Sequence, residues 1–531
     1  MQKDSWVDRF DSVLQRFFEI LPGFLIWILL LAPIWMGLAF PYIVFNAMII
    51  LALFWVYRAT IFSIGSIVGL IKYNKQKKID WLQECLKLER EKLPDPETLP
   101  KDSLLPNHLI VIANYGEDYD VLTRTINGII NQNYPKEKLF LSVSIEARKA
   151  KKDPDYAKRG EYLKRDFGDF FGDRLMFFVH PDDIPGEAIG AASNRTWGTK
   201  KAVEILEQKG YDLNEFLVSA PDGDILISPN YLADLTHKWL IAKDRNKKFY
   251  QTAMYTFNNN YWDIPIMIRI LSISLTIPVL ASSVVEKRKR ETHSLFTMNL
   301  GVMKAVNYWD TSLGIDDTPF YWRPFDYFNG EWWCEVFFSP LHADGVYNDN
   351  YFKNHIDQYK QYVRWGWGVV TIPIAFKVML KNKKISIWKK IYKTYILLEK
   401  FVLFKVVAFL LSFTIPIVLL INPKVNELVI SVSAREMVSI FMTLAVLFLV
   451  PSSIVKLYLL PERPKNMSFL KFAFLFFIEI PLSYVVYLSY GFLPFIDATT
   501  RMMLGQKHAK AITWSEKKIA EQNKLAKSEQ I

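Results

Sequence analysis

Two carboxylates one residue apart, Asp222-Gly223-Asp224, are the first feature of this chain with chemical potential. On a turn, such a pair can ligate one hard cation, Mg2+ or Mn2+, which also bridges the oxygens of a diphosphate. Alone, Asp-Gly-Asp is more often just a turn. A second feature is Ala113-Asn114-Tyr115-Gly116-Glu117. Its sharp glycine-containing turn can cradle a nucleotide, or simply lead into a helix with acidic residues at its start. A third is Asp316-Asp317. Adjacent carboxylates point in different directions, so one can support while the other acts as a base. A fourth is Gln361-Tyr362-Val363-Arg364-Trp365. Arg matches diphosphate with a bidentate fork, and an indole face suits a sugar ring. Arg and Trp are also common on membrane-surface helices.

These features need a frame. Apolar runs at 108–113, 139–145, 174–179 and 215–220 read as strands. A helical pattern over 121–132 follows the first and ends at Asn133-Tyr134-Pro135. Alternating strand and helix predicts an α/β domain with a mostly parallel sheet, whose ligands bind beyond the C-terminal strand ends. The second and first features directly follow the first and fourth strands.

The frame is bracketed by membrane segments. Residues 20–57 carry no charge, about twice the ~20 residues a spanning helix needs. Phe40-Pro41 is a natural break, giving expected spans at 22–40 and 42–62. Uncharged runs at 406–423, 437–455 and 480–496 predict three more, near 399–422, 436–458 and 474–496. Lysines at 72–78 and in the 456–471 loop place both flanks in the cytoplasm. Strict alternation would put the basic C-terminus outside, so one of the five is expected to be re-entrant or not a span. The expected organisation is a transmembrane hairpin (1–71), a cytoplasmic catalytic domain (72–365), interfacial helices (366–398), C-terminal transmembrane helices (399–498) and a basic tail (499–531).

Composition fits this picture. The 531 residues are 51% hydrophobic yet 22% charged, as expected of a soluble domain joined to spans. The net charge of +11 reads as membrane-flanking charge, with no nucleic-acid partner. Two cysteines, Cys85 and Cys334, cannot build a metal cluster. The seven histidines show no ligand spacing and read as structural. Asn194-Arg195-Thr196 matches a glycosylation sequon that would be accidental in the cytoplasm.

Together, in this order, the four features resemble glycosyltransferase family 2, in the membrane synthase branch that includes cellulose, chitin and hyaluronan synthases. The resemblance covers about 105–370 and the surrounding spans. Gln132-Asn133-Tyr134-Pro135 looks like the family's Gln-x-Tyr-Pro, and Asn307-Tyr308-Trp309-Asp310 resembles its Gly-Tyr-Trp-Asp. The resemblance implies the family's nucleotide-sugar-binding α/β fold. It implies donor binding by Tyr115, Glu117, Glu146, Asn194, Asp222, Asp224, Gln361 and Arg364. It further implies Mg2+ or Mn2+ at Asp222 and Asp224, a general base at Asp317 and acceptor binding at Trp365. Three departures stand out. Ala113 and Gly116 replace residues that are often Pro and Asn. Asp316 replaces Glu. A Lys usual after Gly190 is missing, the stretch reading Ala191-Ala192-Ser193-Asn194.

The expected activity is inverting transfer from a nucleotide-sugar donor, UDP-sugar by resemblance, to a growing polysaccharide at the plasma membrane. Single transfer to a lipid-linked acceptor is an alternative, and an inactive homologue serving as a membrane assembly subunit is another. Membrane lipid is the remaining expected partner.

Overall fold

The structure, a computed structural model, describes residues 9–507, and the expected basic tail beyond 507 lies outside the described residues. The chain divides into two compact units. One comprises 71–279 and 287–361; the other comprises residues up to 70, 280–286 and 362–507.

The first unit is an α/β domain. Its main sheet contains β1 (Asn107–Asn114), β2 (Leu139–Glu146), β3 (Leu175–His180), β4 (Phe216–Ser219), β6 (Lys248–Thr252), β8 (Thr297–Asn299) and β9 (Trp333–Phe337), in the order β3-β2-β1-β4-β8-β6-β9. All neighbours are parallel except those flanking β8, which runs against β4 and β6. A smaller sheet joins β5 (Leu226–Ile227), β10 (Leu341–His342) and β7 (Tyr255–Thr256). The mostly parallel α/β architecture expected from the sequence is present.

The apolar runs form β1 and β2 because both are covered on two faces, which demands near-continuous burial. All of β2 is buried, and most of β1. On one face, Ile110, Ile112, Leu141 and Val143 meet Leu122 and Ile126 of the helix Tyr119–Ile130 and Leu163 and Phe167 of the helix Arg159–Phe171. On the other, Ser142 and Ser144 alternate toward the helix Ala191–Gln208. Gly198 allows that helix in, since a Cβ there would stand 2.7 Å from Ser144 Oγ. An isolated parallel bridge, Ala113 to Asp222, carries the β1–β4 alignment past the strand ends. It sets the 113–117 turn and the 222–224 turn side by side at the C-terminal edge.

The second unit is helical. Its helices Asp11–Ala39, Pro41–Gln76, Ile387–Ile421, Val429–Leu459 and Phe469–Met503 are each long and apolar enough to cross a membrane, and each covers one of the five expected spans to within one residue. Large apolar side chains point outward along them, with Leu420 80% exposed and Val429 81%. Such surfaces belong in lipid. Arg58, within the second of these helices, is buried and ion-paired with Glu286 and with Glu399 at 3.7 Å, and Phe62 and Phe404 cover its guanidinium. A π-helical turn, Glu399–Leu403, includes this Glu399.

Two further helices of spanning length, Ile266–Val285 and Tyr351–Lys381, are not anticipated as spans by the sequence. Topology rules out the first as a crossing. β6 precedes it and β8 and β9 follow it, yet the three are hydrogen-bonded in one sheet. A single crossing would put parts of that sheet on opposite sides of the bilayer. Lys247 and Lys304, each about half exposed, lie on the two chain segments that this helix joins. Single cysteines placed at these positions are therefore expected to show the same sidedness toward an impermeant thiol reagent in sealed vesicles, with buried Cys85 and Cys334 as quiet background. Labelling of one from outside and the other only from inside would contradict this topology.

Candidate active site

The Asp-Gly-Asp turn is locked from below. Thr125 Oγ1 donates to the Gly223 carbonyl at 2.8 Å, and the Ile225 amide donates to the Asp222 carbonyl at 3.1 Å. A Cβ at 223 would approach the Glu117 carboxyl carbon to 3.1 Å, so any larger residue at the centre would press on the neighbouring turn. The two carboxylates then differ. Asp224 is 1% exposed, and its Oδ2 accepts from the Asp344 amide at 3.2 Å. Asp344 is itself held by both oxygens to Arg124 at 2.7 Å. The Asp222 side chain is 43% exposed and held at both ends: Ser294 Oγ donates to Oδ2 at 2.9 Å and Arg195 Nη2 to Oδ1 at 2.6 Å.

Arg195 also donates to Asp316 through Nη1, so one guanidinium, its side chain only 5% exposed, joins the Asp-Gly-Asp turn to the acidic pair. The backbone brings these segments together. Gly190 lies so close to the 311–317 loop that a Cβ would sit 2.7 Å from the Gly314 carbonyl oxygen. The Ala188 amide donates to the Thr311 carbonyl at 2.7 Å, and Ser193 Oγ reaches the same oxygen at 3.2 Å. Asp317 opens the short helix Asp317–Phe320; its Oδ1 accepts from the Thr318 amide at 2.6 Å, and Thr292 donates to its carbonyl at 2.7 Å. The Tyr255 hydroxyl senses the whole group. Burial raises its pKa most, the charges of Asp222, Asp224 and Asp317 raise it further, and a hydrogen bond with Ser294 opposes them.

The remaining expected donor residues hold the fold's own hydrogen bonds. Glu117 Oε2 accepts from Asn114 Nδ2 at 2.7 Å and from the Tyr115 and Gly116 amides at 3.1 and 3.3 Å, closing its own turn. Arg159 ties the same turn by donating to Asn114 Oδ1 and, at 2.6 Å, to the Glu117 carbonyl. Tyr156 links it to the end of β2, donating to the Asn114 carbonyl at 2.5 Å and accepting from the Glu146 amide at 3.1 Å. The Glu146 carboxylate lies 3.0 Å from His180 Nδ1 and accepts from Arg148 at 3.1 Å. His180 reaches Glu187 through its other nitrogen at 2.9 Å. Burial alone would lower the His180 pKa, but the two glutamates override it and the pKa is raised. Asn194 is buried with Ser144 donating to its Oδ1. Gln361 is buried and accepts from Gln358 at 3.1 Å within the helix Tyr351–Gly366, which also carries Arg364 and Trp365. Trp365 is 37% exposed, its ring 4.8 Å from that of Tyr362.

Sequence reasoning missed Arg195, Ser294, Tyr255 and the Arg124–Asp344 pair. Arg195 alone left a signal, a cation next to Asn194. Among the described residues, no three His, Cys, Asp or Glu side chains form a ready metal site. Two carboxylates nonetheless suffice when diphosphate oxygens and water complete the shell. Asp222 and Asp224 therefore fit Mg2+ or Mn2+ held together with a nucleotide, with Asp222 the accessible ligand.

No family model matches this chain, and no curated protein matches it. Solved structures with a partly similar fold include the mannosyltransferase PcManGT from Pyrobaculum calidifontis in complex with GDP-Man and Mn2+, 14% identical over 77% of this chain and 99% of that one, with a TM-score of 0.37. TarS 1–349 of S. aureus in complex with UDP-GlcNAc is 13% identical over 64% of this chain and 90% of that one, with a TM-score of 0.34. Scores this low decide nothing about the site, which stands on its own geometry.

Proposed function

We propose that this chain is a membrane-bound glycosyltransferase that moves a sugar from a nucleotide-sugar donor, a UDP-sugar, to a growing polysaccharide with inversion at the anomeric carbon. The observation that carries the reading is the convergence of Asp222, Asp224 and the Asp316-Asp317 pair at the C-terminal edge of a mostly parallel sheet, around Tyr255. Carboxylates of this number suit a diphosphate with its cation on one side and a proton acceptor on the other.

In this reading Asp317 takes the proton from an acceptor hydroxyl as that oxygen bonds to the anomeric carbon. The bond from this carbon to the diphosphate breaks on the opposite face, and the nucleoside diphosphate leaves with the electron pair. Asp222 and Asp224 would hold Mg2+ or Mn2+, which supplies positive charge to the leaving group when bound. Tyr115, Glu117, Glu146 and Asn194 shape the nucleotide pocket, the last three by fixing its walls. In the same reading Gln361 and Arg364 are donor-binding residues and Trp365 takes the acceptor sugar. The α/β unit faces the cytoplasm, where nucleotide sugars are made, and the helical unit lies in the plasma membrane.

Three tests follow from these roles. The Asp317→Asn variant keeps the shape of the side chain and loses its basicity. It should lower transfer by about 100-fold or more, the usual scale of general-base catalysis, with donor KM within about twofold of wild type, measured by release of nucleoside diphosphate from purified enzyme. A near-normal turnover would remove Asp317 from the role of base. Chelation with EDTA should abolish transfer, and Asp224→Asn should weaken UDP binding in the presence of Mn2+ by about tenfold or more in titration calorimetry, because one carboxylate of a two-carboxylate site is lost. Full activity in excess EDTA would end the metal assignment. Finally, Trp365→Ala should shorten the product or raise the acceptor requirement while UDP affinity stays near wild type, whereas Arg364→Ala should weaken UDP binding. A single sugar added to a lipid in the wild-type reaction would replace the polymer reading with single transfer.

A further inference from the structure

The acidic centre contains four carboxylates, Asp222, Asp224, Asp316 and Asp317, and a guanidinium that pairs with two of them at once. We propose that Arg195 is the positioning residue of this centre: its fork holds Asp222 of the donor turn and Asp316 of the acidic pair at a fixed separation, so that donor and base stand in register for transfer. The inference rests on reading the site as a glycosyl-transfer centre.

Three observations support it. First, Arg195 occupies a stiff support. It lies near the start of the helix Ala191–Gln208, whose N-terminal end is bound to the 311–317 loop by the Ala188–Thr311 hydrogen bond and by the close approach of Gly190 to Gly314. Thr196 Oγ1 also reaches the Trp309 carbonyl at 3.5 Å, and Thr199 Oγ1 donates to the Arg195 carbonyl at 2.7 Å. Second, the two nitrogens are divided between two elements that meet nowhere else in sequence, one 27 residues and the other 121 residues away. A guanidinium used for fold stability alone has no need of an accessible partner, yet Asp222 is the more exposed of the two donor carboxylates. Third, the second oxygen of Asp222 is held by Ser294. With donors on both oxygens, the carboxylate has one orientation before any ligand arrives, and pre-set ligands are what a transfer site needs.

The chemistry of the bridge sets the expected response. Removing the guanidinium takes away the positive charge that holds Asp222 and Asp316 together, and like charges drive them apart. Asp317 is covalently next to Asp316 and moves with it. Lysine keeps the charge but offers a point rather than a fork, so it can satisfy only one carboxylate well. Asp316→Asn removes the other end of the same bridge, so its effect should not add to that of Arg195→Gln.

The test is a set of four purified full-length variants in detergent: Arg195→Gln, Arg195→Lys, Asp316→Asn and the double variant Arg195→Gln/Asp316→Asn. Each is assayed for nucleoside diphosphate release during transfer, with kcat expressed per UDP-binding site counted by titration. Arg195→Gln should lower kcat per site by about 30-fold or more, and donor KM by comparison should change only a few-fold. Arg195→Lys should recover part of the loss. The double variant should be no worse than Arg195→Gln, because the bridge is already gone and one surplus negative charge has been removed. A purely structural Arg195 would reduce the number of binding sites and leave kcat per site intact. That outcome, or losses that simply multiply in the double variant, would overturn the proposal. If Arg195→Gln does not fold, Arg195→Lys and the charge-balanced double variant decide in the same way. A wild-type enzyme that releases no nucleoside diphosphate from any sugar donor would instead sink the transferase reading and this inference with it.

Discussion

One guanidinium shared between two carboxylates is the interaction on which the rest of this site depends. Four acidic side chains cannot gather at one edge of a sheet without a counter-charge. Arg195 supplies it from a nearly buried position, where the loss of hydration is offset only by good geometry on both partners. That requirement explains the surroundings. Gly190 and Gly198 let the Arg195 helix approach the 311–317 loop and β2 closely, and Ser142 and Ser144 on β2 remain small where it lands. Without that close packing the arginine would not reach both carboxylates.

The same rule governs the apolar unit. Arg58 sits within a helix otherwise suited to lipid, and it is buried because Glu286 and Glu399 meet it and two phenylalanine rings cover it. Lys456 is likewise paired with Glu479 between the last two long helices. The surfaces of these helices that face away from the ion pairs carry large exposed apolar side chains. Charge is kept inside and apolar surface outside, the reverse of the α/β unit, where Ile, Val and Leu fill the sheet and the lysines and acids of the helices face water.

The sequence made the strands with continuous apolar runs legible. The expected runs at 108–113, 139–145, 174–179 and 215–220 each match an observed strand to within two residues; the central three are buried on both faces, which leaves room for little else, while β3 at the edge is only partly buried. The short strands β5, β7, β8 and β10 carry no such run and exist only through pairing with distant segments. The helix Ile266–Val285, not expected from the sequence, is long and apolar enough to span and is excluded by the sheet that closes around it. In the site, the carboxylates were visible as motifs. Their partners were not. Arg195 entered the reading only as the middle residue of an accidental sequon, and its bond to Asp316 joins residues 121 positions apart. Glu117, Glu146 and Asn194 were visible as residue types; Asn114 occupies Glu117 from within the same motif, but His180 and Ser144, which occupy Glu146 and Asn194, lie 34 and 50 residues away and no local pattern connects them.

One departure from the resembled pattern, Asp316, meets its cation from a distant helix. Asp316 is one methylene shorter than a glutamate, and Arg195 stands five residues after Gly190. In the structure this arginine and this aspartate are partners. The forked cation uses one nitrogen for Asp316 and the other for Asp222. The pair keeps a cation between the 222–224 turn and the acidic pair. A positive charge held there offsets the repulsion that would otherwise drive the carboxylates apart, which is the condition for their acting on one ligand.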